Sequence, residues 1–329
     1  ISVNSILTCS HISGLDICNK MKKQIDFLGI GAQKAGTSWL YSNLKQIPEF
    51  SLPPIKELHY FDRSRSYPSP NGLAETLLAN RIRQKKYFLN AVYRVLKVVK
   101  HINWKLSIFY LKWFFTDYSD QWYLSLFKGF EGYTGEITPS YSILNKEDIR
   151  RIHNLQPDAK LILMLRNPIE RAWSQYRFSL RKKKNFDIGK VSTADIIKYM
   201  ESDAQSLRSE YIRTIDNYSS IFPKEQILIC FYDAILDNPK ALMNNILKHV
   251  CGEAPISINH LNLKSVVNKS IVVDRPKEVE AYLKNRYYPQ IKELSEKYGG
   301  YFTKWYEESY LDNSTSENKE LLPTMYMKS

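Results

Sequence analysis

The sequence predicts an α/β protein in which a parallel sheet is flanked by helices and carries a basic helical insertion. Short apolar runs typical of buried strands recur along the chain, and each is followed by apolar residues at helical spacing. Strands that alternate with helices in this way indicate a parallel sheet, whose ligands bind at the carboxyl ends of the strands. The 329 residues, 43% of them apolar and 25% charged, can bury a large core, which excludes disordered and fibrous classes.

Three strand and helix units are predicted, and each strand is a nearly continuous apolar run. Their bounds are 25–31 with 37–46, 160–165 with 169–181, and 226–232 with 239–250. Since no repeat or linker separates the units, we expect a single domain over residues 21–312. Residues 1–20 are expected to be an N-terminal extension outside the fold, and residues 313–329, rich in polar side chains, a frayed C-terminal tail.

The helical insertion covers about residues 72–130. Between Arg81 and Lys112 it holds nine Lys or Arg residues and no acidic residue, interleaved with aromatic residues. Aromatic residues at helical spacing usually pack on a core, which is one interpretation of the insertion. A lid that binds an anionic acceptor and a surface that contacts anionic lipid are the alternatives.

The formal net charge of +13 suits a partner that carries phosphate or sulfate, although a solvated lysine surface gives the same value. Four cysteines without a C-x-x-C pair are too few for a disulfide framework, so we expect a reducing, cytoplasmic compartment. The sequence contains no apolar run of about 18 residues, the length that predicts a spanning helix.

The segment from Gly31 to Ser38 has two glycines at the G-x-x-x-x-G spacing of a phosphate loop, between a strand and a helix. Backbone N–H groups and the positive end of the helix can cradle an anion there. A nucleoside triphosphatase has lysine where this chain has Thr37, and the lysine lies within the loop as Lys34. Arg166 ends the second strand where an aspartate would hold Mg²⁺, so a P-loop-like fold with an anion site and no metal is predicted.

Four segments in this order resemble the family of sulfotransferases that use 3′-phosphoadenosine 5′-phosphosulfate (PAPS). The nearest likeness is to the heparan sulfate sulfotransferase-like branch, which includes bacterial members. The segments are the loop 31–38, KELHYFD at 56–62, GEITPSY at 135–141 and LILMLRNPIERAWSQY at 161–176. The strand and helix over 226–252 also resemble the later core of the family.

The resemblance implies a role for each matching residue, with PAPS as donor and PAP as product. The implied cofactor-binding residues are Lys34, Ala35, Gly36, Thr37, Ser38, Arg166 and Ser174. The loop would bind the 5′-phosphosulfate, with Lys34 also assisting catalysis, and Arg166 with Ser174 would bind the 3′-phosphate. Glu57 would be the general base, and Lys56 and His59 would line the same pocket.

Several assignments stay open at this point. His59 competes with Glu57 as base because its ordinary pKa suits the role, and Glu57 could instead be only an ion-pair partner of Lys56. Asp62, Glu136 and His153 are interpreted as structural, and the segment ending in Tyr141 is expected to wall the acceptor cleft.

The chain departs from the family pattern in two places. No glycine directly precedes Tyr211, and no arginine-lysine-glycine clasp follows residue 250. Residues 268–270 with Arg275 are the candidate replacement for that clasp.

These residues predict in-line sulfuryl transfer from PAPS to a hydroxyl or amine of a glycan or small molecule. A P-loop kinase is an alternative that the position of Lys34 and the missing metal aspartate oppose. A basic protein that binds nucleic acid or a membrane is the other alternative, although no nucleic-acid partner is expected. The sequence does not predict the acceptor or the oligomeric state.

Overall fold

The computed structural model describes residues 25–68, 75–100, 104–180, 191–254, 256–265, 273–311 and 321–327. They form a six-stranded sheet in the order β2-β3-β1-β4-β5-β6. The strands are β1 (Phe27–Gly31), β2 (Phe50–Ser51), β3 (Tyr133–Ile137), β4 (Lys160–Leu165), β5 (Ile227–Phe231) and β6 (Thr324–Tyr326). The first five strands pair in parallel, and β6 is antiparallel to β5. The predicted α/β fold with a mostly parallel sheet is confirmed.

Helices follow the strands and flank the sheet. They are α1 (Thr37–Leu44), α2 (Leu78–Ile82), α3 (Lys85–Lys100), α4 (Trp104–Phe115), α5 (Asp120–Ser125), α6 (Lys146–Leu155), α7 (Pro168–Leu180), α8 (Thr193–Glu201), α9 (Asp203–Ser209), α10 (Tyr211–Ser219), α11 (Asp233–Asp237), α12 (Pro239–Cys251), α13 (Lys277–Tyr298) and α14 (Tyr301–Tyr310). Short 3₁₀ helices cover Pro139–Ile143 and Lys224–Gln226. None of the helices within the described ranges combines the length and hydropathy of a membrane span.

The three predicted apolar strands are β1, β4 and β5 in the middle of the sheet. Every residue of β1 and β5 is buried, as is all of β4 except its first residue. Strands buried on both faces need continuous apolar sequence, which is why these three were recognisable. The carboxyl ends of β1 and β4 lead into the phosphate loop and Arg166, so these two predicted ligand-binding elements lie at one edge of the sheet, where β5 leads into α11.

The end of the chain differs from the expected tail over residues 313–329. Thr324–Tyr326 forms the edge strand β6, with Met325 opposite Ile229 of β5. The Thr324 hydroxyl accepts a hydrogen bond from the Asn245 side chain at 2.9 Å. Pairing with β5 satisfies the backbone N–H and C=O groups of this short segment, which is too short to show a strand pattern in the sequence. The predicted N-terminal extension, residues 1–20, lies outside the described residues.

The predicted helical insertion contains α2 to α5. On α4, Tyr110, Trp113 and Phe114 are buried, and Trp113 packs on Trp122 with ring centroids 5.6 Å apart. The inner face of α4 therefore packs on the core, as one of the three interpretations expected. The outer face of α3 and α4 does not follow that pattern, because it leaves large apolar side chains exposed.

Candidate functional site

The phosphate loop, residues 31–38, joins β1 to α1 through two positions that require glycine. Gly36 caps α1 with φ 96°, and an added Cβ would lie 2.6 Å from Cδ1 of Ile235. A Cβ on Gly31 would lie 2.5 Å from Cβ of Ser142. Within the described residues, no side chain caps α1 and its first turn has no acidic residue. The N–H groups of that turn are therefore suited to bind an anion.

A chain of polar contacts connects this loop to the predicted catalytic residues. Lys56 Nζ donates to Ser38 Oγ at 3.3 Å and to Glu57 Oε1 at 2.6 Å. The other Glu57 oxygen, Oε2, lies 3.5 Å from His59 Nε2. His59 Nδ1 lies 2.7 Å from Asp62 Oδ2. We call this set of five residues the base cluster. The structure thus places Lys56, Glu57 and His59 in one cluster, as the sequence predicts. Lys34, which is also predicted to be catalytic, does not belong to it.

The partners within the base cluster fix the charge of each group. Burial raises the pKa of Glu57, but the hydrogen bonds and charges of His59 and Lys56 outweigh it and hold that pKa at about 2. Burial lowers the pKa of His59, but its bonds to Asp62 and Glu57 outweigh it and raise that pKa to about 9. At neutral pH, Glu57 is a carboxylate and His59 an imidazolium that donates from both nitrogens. Of the two candidate bases, Glu57 is therefore the one that can accept a proton at neutral pH.

The three residues predicted as catalytic share an unusual backbone conformation. Lys34, Glu57 and His59 have φ of 70°, 65° and 50°, and they are the only non-glycine residues in the left-handed region in the described part of the chain. A side chain in this region costs about 1–2 kcal/mol and persists where the surroundings hold it. Such residues concentrate at functional sites, so the backbone supports a functional role for all three.

Side chains from β3 and the segment after it hold the backbone of the base cluster. Leu58 N donates to Glu136 Oε2 at 3.3 Å, and Tyr60 N donates to the Tyr141 hydroxyl at 3.0 Å. Glu136 is fully buried and also accepts hydrogen bonds from the hydroxyls of Tyr123, Tyr141 and Thr138, at 2.6–2.8 Å. The structural interpretation of Glu136 is therefore confirmed.

Two expectations for neighbouring residues need correction. Tyr141 is fully buried, with 0% of its surface exposed, and its hydroxyl accepts the hydrogen bond from Tyr60 N. It therefore does not line an acceptor cleft. Asp62 is fully buried, as a structural residue would be, but it also orients the imidazole of His59 and so belongs to the base cluster. The i, i+3 spacing of His59 and Asp62 was the available signal for that contact. His153 packs edge-on against Phe222, as a structural residue does.

The loop lysine faces α7. Lys34 Nζ lies 4.2 Å from the centroid of the Phe178 ring, which is a cation–π contact. Ala35 and Thr37 of the loop are buried, and Thr37 begins α1. The base cluster receives its loop contact from Ser38, through Lys56, and this link was not predicted.

A second cluster surrounds Arg166 directly after β4. The guanidinium of Arg166 lies 4.4 Å from the centroid of the Tyr232 ring, and its Nη2 is 3.7 Å from Glu170 Oε2. The Tyr211 hydroxyl donates to the Arg166 carbonyl oxygen at 2.7 Å and fixes the main chain there. Ser174 is buried two turns into α7. The loop and Arg166 share one edge of the sheet, since β1 and β4 are neighbours.

Arg275 is the second arginine of this cluster. Its Nη2 donates to Glu170 Oε1 at 2.9 Å, and its Nε lies 3.8 Å from Glu280. Its Nη1 is buried and has no hydrogen-bond partner within the described part of the chain. Burial lowers the pKa of Arg177, and the charges of Arg166 and Arg275 lower it further. Three guanidiniums thus lie near Glu170, and this excess of positive charge is suited to an anion. Residues 268–270, the other part of the candidate clasp, lie outside the described residues.

Comparisons with known proteins agree with this geometry. A family model described as "Sulfotransferase family" matches residues 27–253, more than half of the chain. Carbohydrate sulfotransferase 15 of Mus musculus is 26% identical over 272 residues, which is 73% of this chain and 45% of the mouse protein. Heparan sulfate glucosamine 3-O-sulfotransferase 6 of Mus musculus is 33% identical over 116 residues, which is 32% of this chain and 31% of that protein.

This chain therefore spans less than half the length of these curated relatives. A solved sulfotransferase from Alicyclobacillus acidocaldarius shares the fold, with a TM-score of 0.54 at 17% identity, over 83% of this chain and 95% of that one. Together with the phosphate loop and the base cluster, the family match over residues 27–253 shows that the chain belongs to the sulfotransferase family.

Proposed function

We propose that the chain transfers a sulfuryl group from PAPS to a hydroxyl or amine of a carbohydrate-type acceptor, with Glu57 as general base. The observation that carries the proposal is the base cluster, in which Lys56 joins the phosphate loop at Ser38 to the carboxylate of Glu57. A nucleophile bound beside this carboxylate can lose its proton to Glu57, and the adjacent phosphate loop can bind the anionic donor.

The residues of the site fit PAPS. Within the described residues, the first turn of α1 has no side-chain cap and no acidic residue, so its N–H groups can bind an anion. Arg166 and Arg275 share Glu170, and the buried Nη1 of Arg275 has a donor to offer a 3′-phosphate. PAPS supplies the sulfuryl group when bound and leaves as PAP. Lys34, Gly36, Thr37 and Ser38 would hold the phosphosulfate, and Arg166, Ser174 and Arg275 the 3′-phosphate.

The chemistry of the chain's own residues is proton transfer and charge neutralisation. Glu57 is ionised at neutral pH and accepts the acceptor's proton on a lone pair that Lys56 and His59 do not use. The His59 imidazolium, fixed by Asp62, holds the carboxylate in place. Lys34 and Lys56 supply positive charge at the loop, where a leaving phosphate needs it.

Lys56 couples donor binding to the strength of the base. A carboxylate with a pKa of about 2 is a weak base, because the most efficient base has a pKa near the working pH. The bond from Lys56 is among the causes of that low pKa. An anion beside Ser38 competes with Glu57 for the same ammonium, so donor binding raises the pKa of Glu57 and strengthens the base.

The carbohydrate acceptor rests on the two relatives described above, whose names state carbohydrate and heparan sulfate substrates. A net charge of +13 suits an anionic glycan. The proposal covers both hydroxyl and amine acceptors, since either can lose a proton to Glu57 during attack on sulfur.

Calorimetry with PAP tests the donor site. Arg166→Ala should weaken PAP binding by about 1.5–3 kcal/mol, the scale of a charged hydrogen bond. Arg150→Ala, an exposed arginine on α6, is the matched control and should bind PAP as the parent does. Unchanged PAP affinity in a folded Arg166→Ala protein would contradict the 3′-phosphate assignment. ATP with Mg²⁺ should fail to displace PAP, whereas a P-loop kinase would bind ATP in preference.

Transfer itself is measured with ³⁵S-labelled PAPS on a panel of acceptors. The panel contains desulfated glycosaminoglycans, neutral oligosaccharides, phenols and amines. We expect label on a glycosaminoglycan and its loss in Glu57→Gln. Label on phenols alone would replace the carbohydrate acceptor with a small-molecule one.

A further inference from the structure

The outer face of α3 is apolar and exposed. Its inner face packs on the core through the buried Ala91 and the half-buried Tyr87 and Val95, which lie at i−4 and i+4 from Ala91. Five large apolar residues of the helix are 45–64% exposed: Phe88, Leu89, Tyr93, Leu96 and Val99. Leu89, Tyr93 and Leu96 follow one another at spacings of four and three, so they lie along one stripe of the helix. An amphipathic helix normally buries such a stripe.

Helix α4 repeats the arrangement. Trp104, Ile108 and Leu111 are 75%, 49% and 46% exposed, and their spacings of four and three again define one stripe. The residues that α4 buries, such as Trp113 and Phe114, lie on its other side. Since α3 and α4 pack against each other, the two helices present their exposed apolar residues from one structural unit. We call these exposed residues of the two helices the α3–α4 face.

The charge around this face has one sign. Lys85, Lys86, Arg94 and Lys97 on α3 and Lys105 on α4 are exposed. The chain contains no acidic residue between Glu75 and Asp117. A surface that is apolar, aromatic and uniformly basic is complementary to an anionic lipid bilayer, whose headgroups attract Lys and Arg and whose interface accepts Trp, Tyr and Leu.

The same observations oppose the other occupants of the face. A second copy would bring one basic surface against another without an acidic residue to pair with it, and like charges repel. A polar glycan would use the basic residues but would leave the exposed apolar side chains without a partner. The bilayer is the partner that uses both kinds of residue.

We propose that the α3–α4 face docks the protein onto an anionic membrane surface. The apolar residues enter the boundary between headgroups and acyl chains, and the flanking Lys and Arg residues contact the headgroups. The α3–α4 face includes no residue of the phosphate loop or the base cluster, so membrane docking can be tested independently of the sulfotransfer reaction.

Vesicle flotation of the full chain tests the proposal. The protein should float with vesicles of phosphatidylcholine and phosphatidylserine, and much less with vesicles of phosphatidylcholine alone. One variant combines Leu89→Ser, Leu96→Ser and Trp104→Ser, and a second combines Arg94→Gln, Lys97→Gln and Lys105→Gln. Each should lower the vesicle partition coefficient by about tenfold or more, the first by removing apolar burial and the second by removing attraction to the headgroups.

Two controls carry the same number of substitutions, from exposed apolar residues to Ser or from exposed cations to Gln, but lie elsewhere. Leu236→Ser, Leu311→Ser and Leu322→Ser remove three exposed leucines, and Lys146→Gln, Lys248→Gln and Lys292→Gln remove three exposed charges. Both controls should float as the parent does, and all four proteins should bind PAP with parental affinity if they are folded. Equal loss in a face variant and its control would overturn the proposal, because binding would then follow net charge or hydropathy alone.

Two further outcomes would also overturn it. If the parent fails to float with anionic vesicles, the face has another occupant. If the apolar variant floats normally but loses a dimer in analytical ultracentrifugation, or raises the acceptor KM, that occupant is a second copy or the acceptor.

Discussion

The pH dependence of the reaction distinguishes Glu57 from His59 as the general base. The contacts of His59 raise its pKa from 6.5 to about 9, a preference for the imidazolium of about 3 kcal/mol. At pH 7, about one His59 in a hundred is therefore neutral and able to accept a proton. If His59 were the base, kcat/KM would rise about tenfold per pH unit until pH 9. If Glu57 is the base, kcat/KM should be level from about pH 5 to 8, because the carboxylate is ionised throughout.

We expect the level profile, followed by a fall above about pH 9. The fall occurs because neutral His59 no longer donates to both Glu57 and Asp62. The assay is single-turnover transfer from ³⁵S-labelled PAPS, so that product release does not mask the chemical step.

Substitution separates the two residues further. Glu57→Gln keeps the shape of the side chain and removes the base, so kcat should fall by about 10²–10⁴ with little change in PAP affinity. His59→Gln should cost less and should abolish the fall above pH 9. A rate that climbs up to pH 9, or a Glu57→Gln variant that keeps more than about a tenth of the parental kcat, would refute the assignment and favour His59.

Three more predictions concern the supports of the site. Asp62→Asn should lower the pKa of His59, which NMR titration measures. The pKa of His59 in the folded protein lies above 6.5, so protonated His59 contributes its full stability below pH 6.5, and this contribution is lost as the pH rises through 9. The variant should therefore be less stable than the parent at pH 7 but little different at pH 10. Gly36→Ala should lower both the melting temperature and the PAP affinity. The control is Gly129→Ala, at φ 87° with no atom within 4 Å of its Cβ, which should keep the PAP affinity of the parent. Equal PAP binding by the two variants would contradict the requirement for glycine in the phosphate loop. Arg275→Ala should weaken PAP binding by about 1.5–3 kcal/mol in calorimetry, with the exposed Arg65→Ala as control, and parental affinity would remove Arg275 from the donor site.

The sequence predicted the middle of the sheet but not its margins. Strands β1, β4 and β5 are continuous apolar runs, and such runs are recognisable without tertiary information. The strand β3, Tyr-Thr-Gly-Glu-Ile, places the carboxylate of Glu136 in the core, where burial raises its pKa and four donors satisfy it. A hydrophobic pattern cannot identify that strand, because the partners of Glu136 come from other elements. Strands of two or three residues, β2 and β6, are too short to show a period.

For the site, too, some features were predictable from the sequence and others were not. Loop spacing predicts Lys34, and the family resemblance of the segment 56–62 predicts Glu57 and His59; both signals are local in sequence. The contacts that set their behaviour are not local: Lys56 reaches Ser38 across 18 positions, and Arg275 reaches Glu170 across 105. Such pairs depend on which strands are neighbours, and spacing alone does not contain that information.

The two segments KELHYFD and GEITPSY have one physical reason to occur together. Glu57 and His59 stand in the left-handed region, so the backbone between them needs external support. Glu136 and Tyr141 supply it through the N–H groups of Leu58 and Tyr60. The second segment therefore supports the backbone of the first. In the proposed reaction, this buried and hydrogen-bonded platform is what holds the carboxylate of Glu57 towards the phosphate loop.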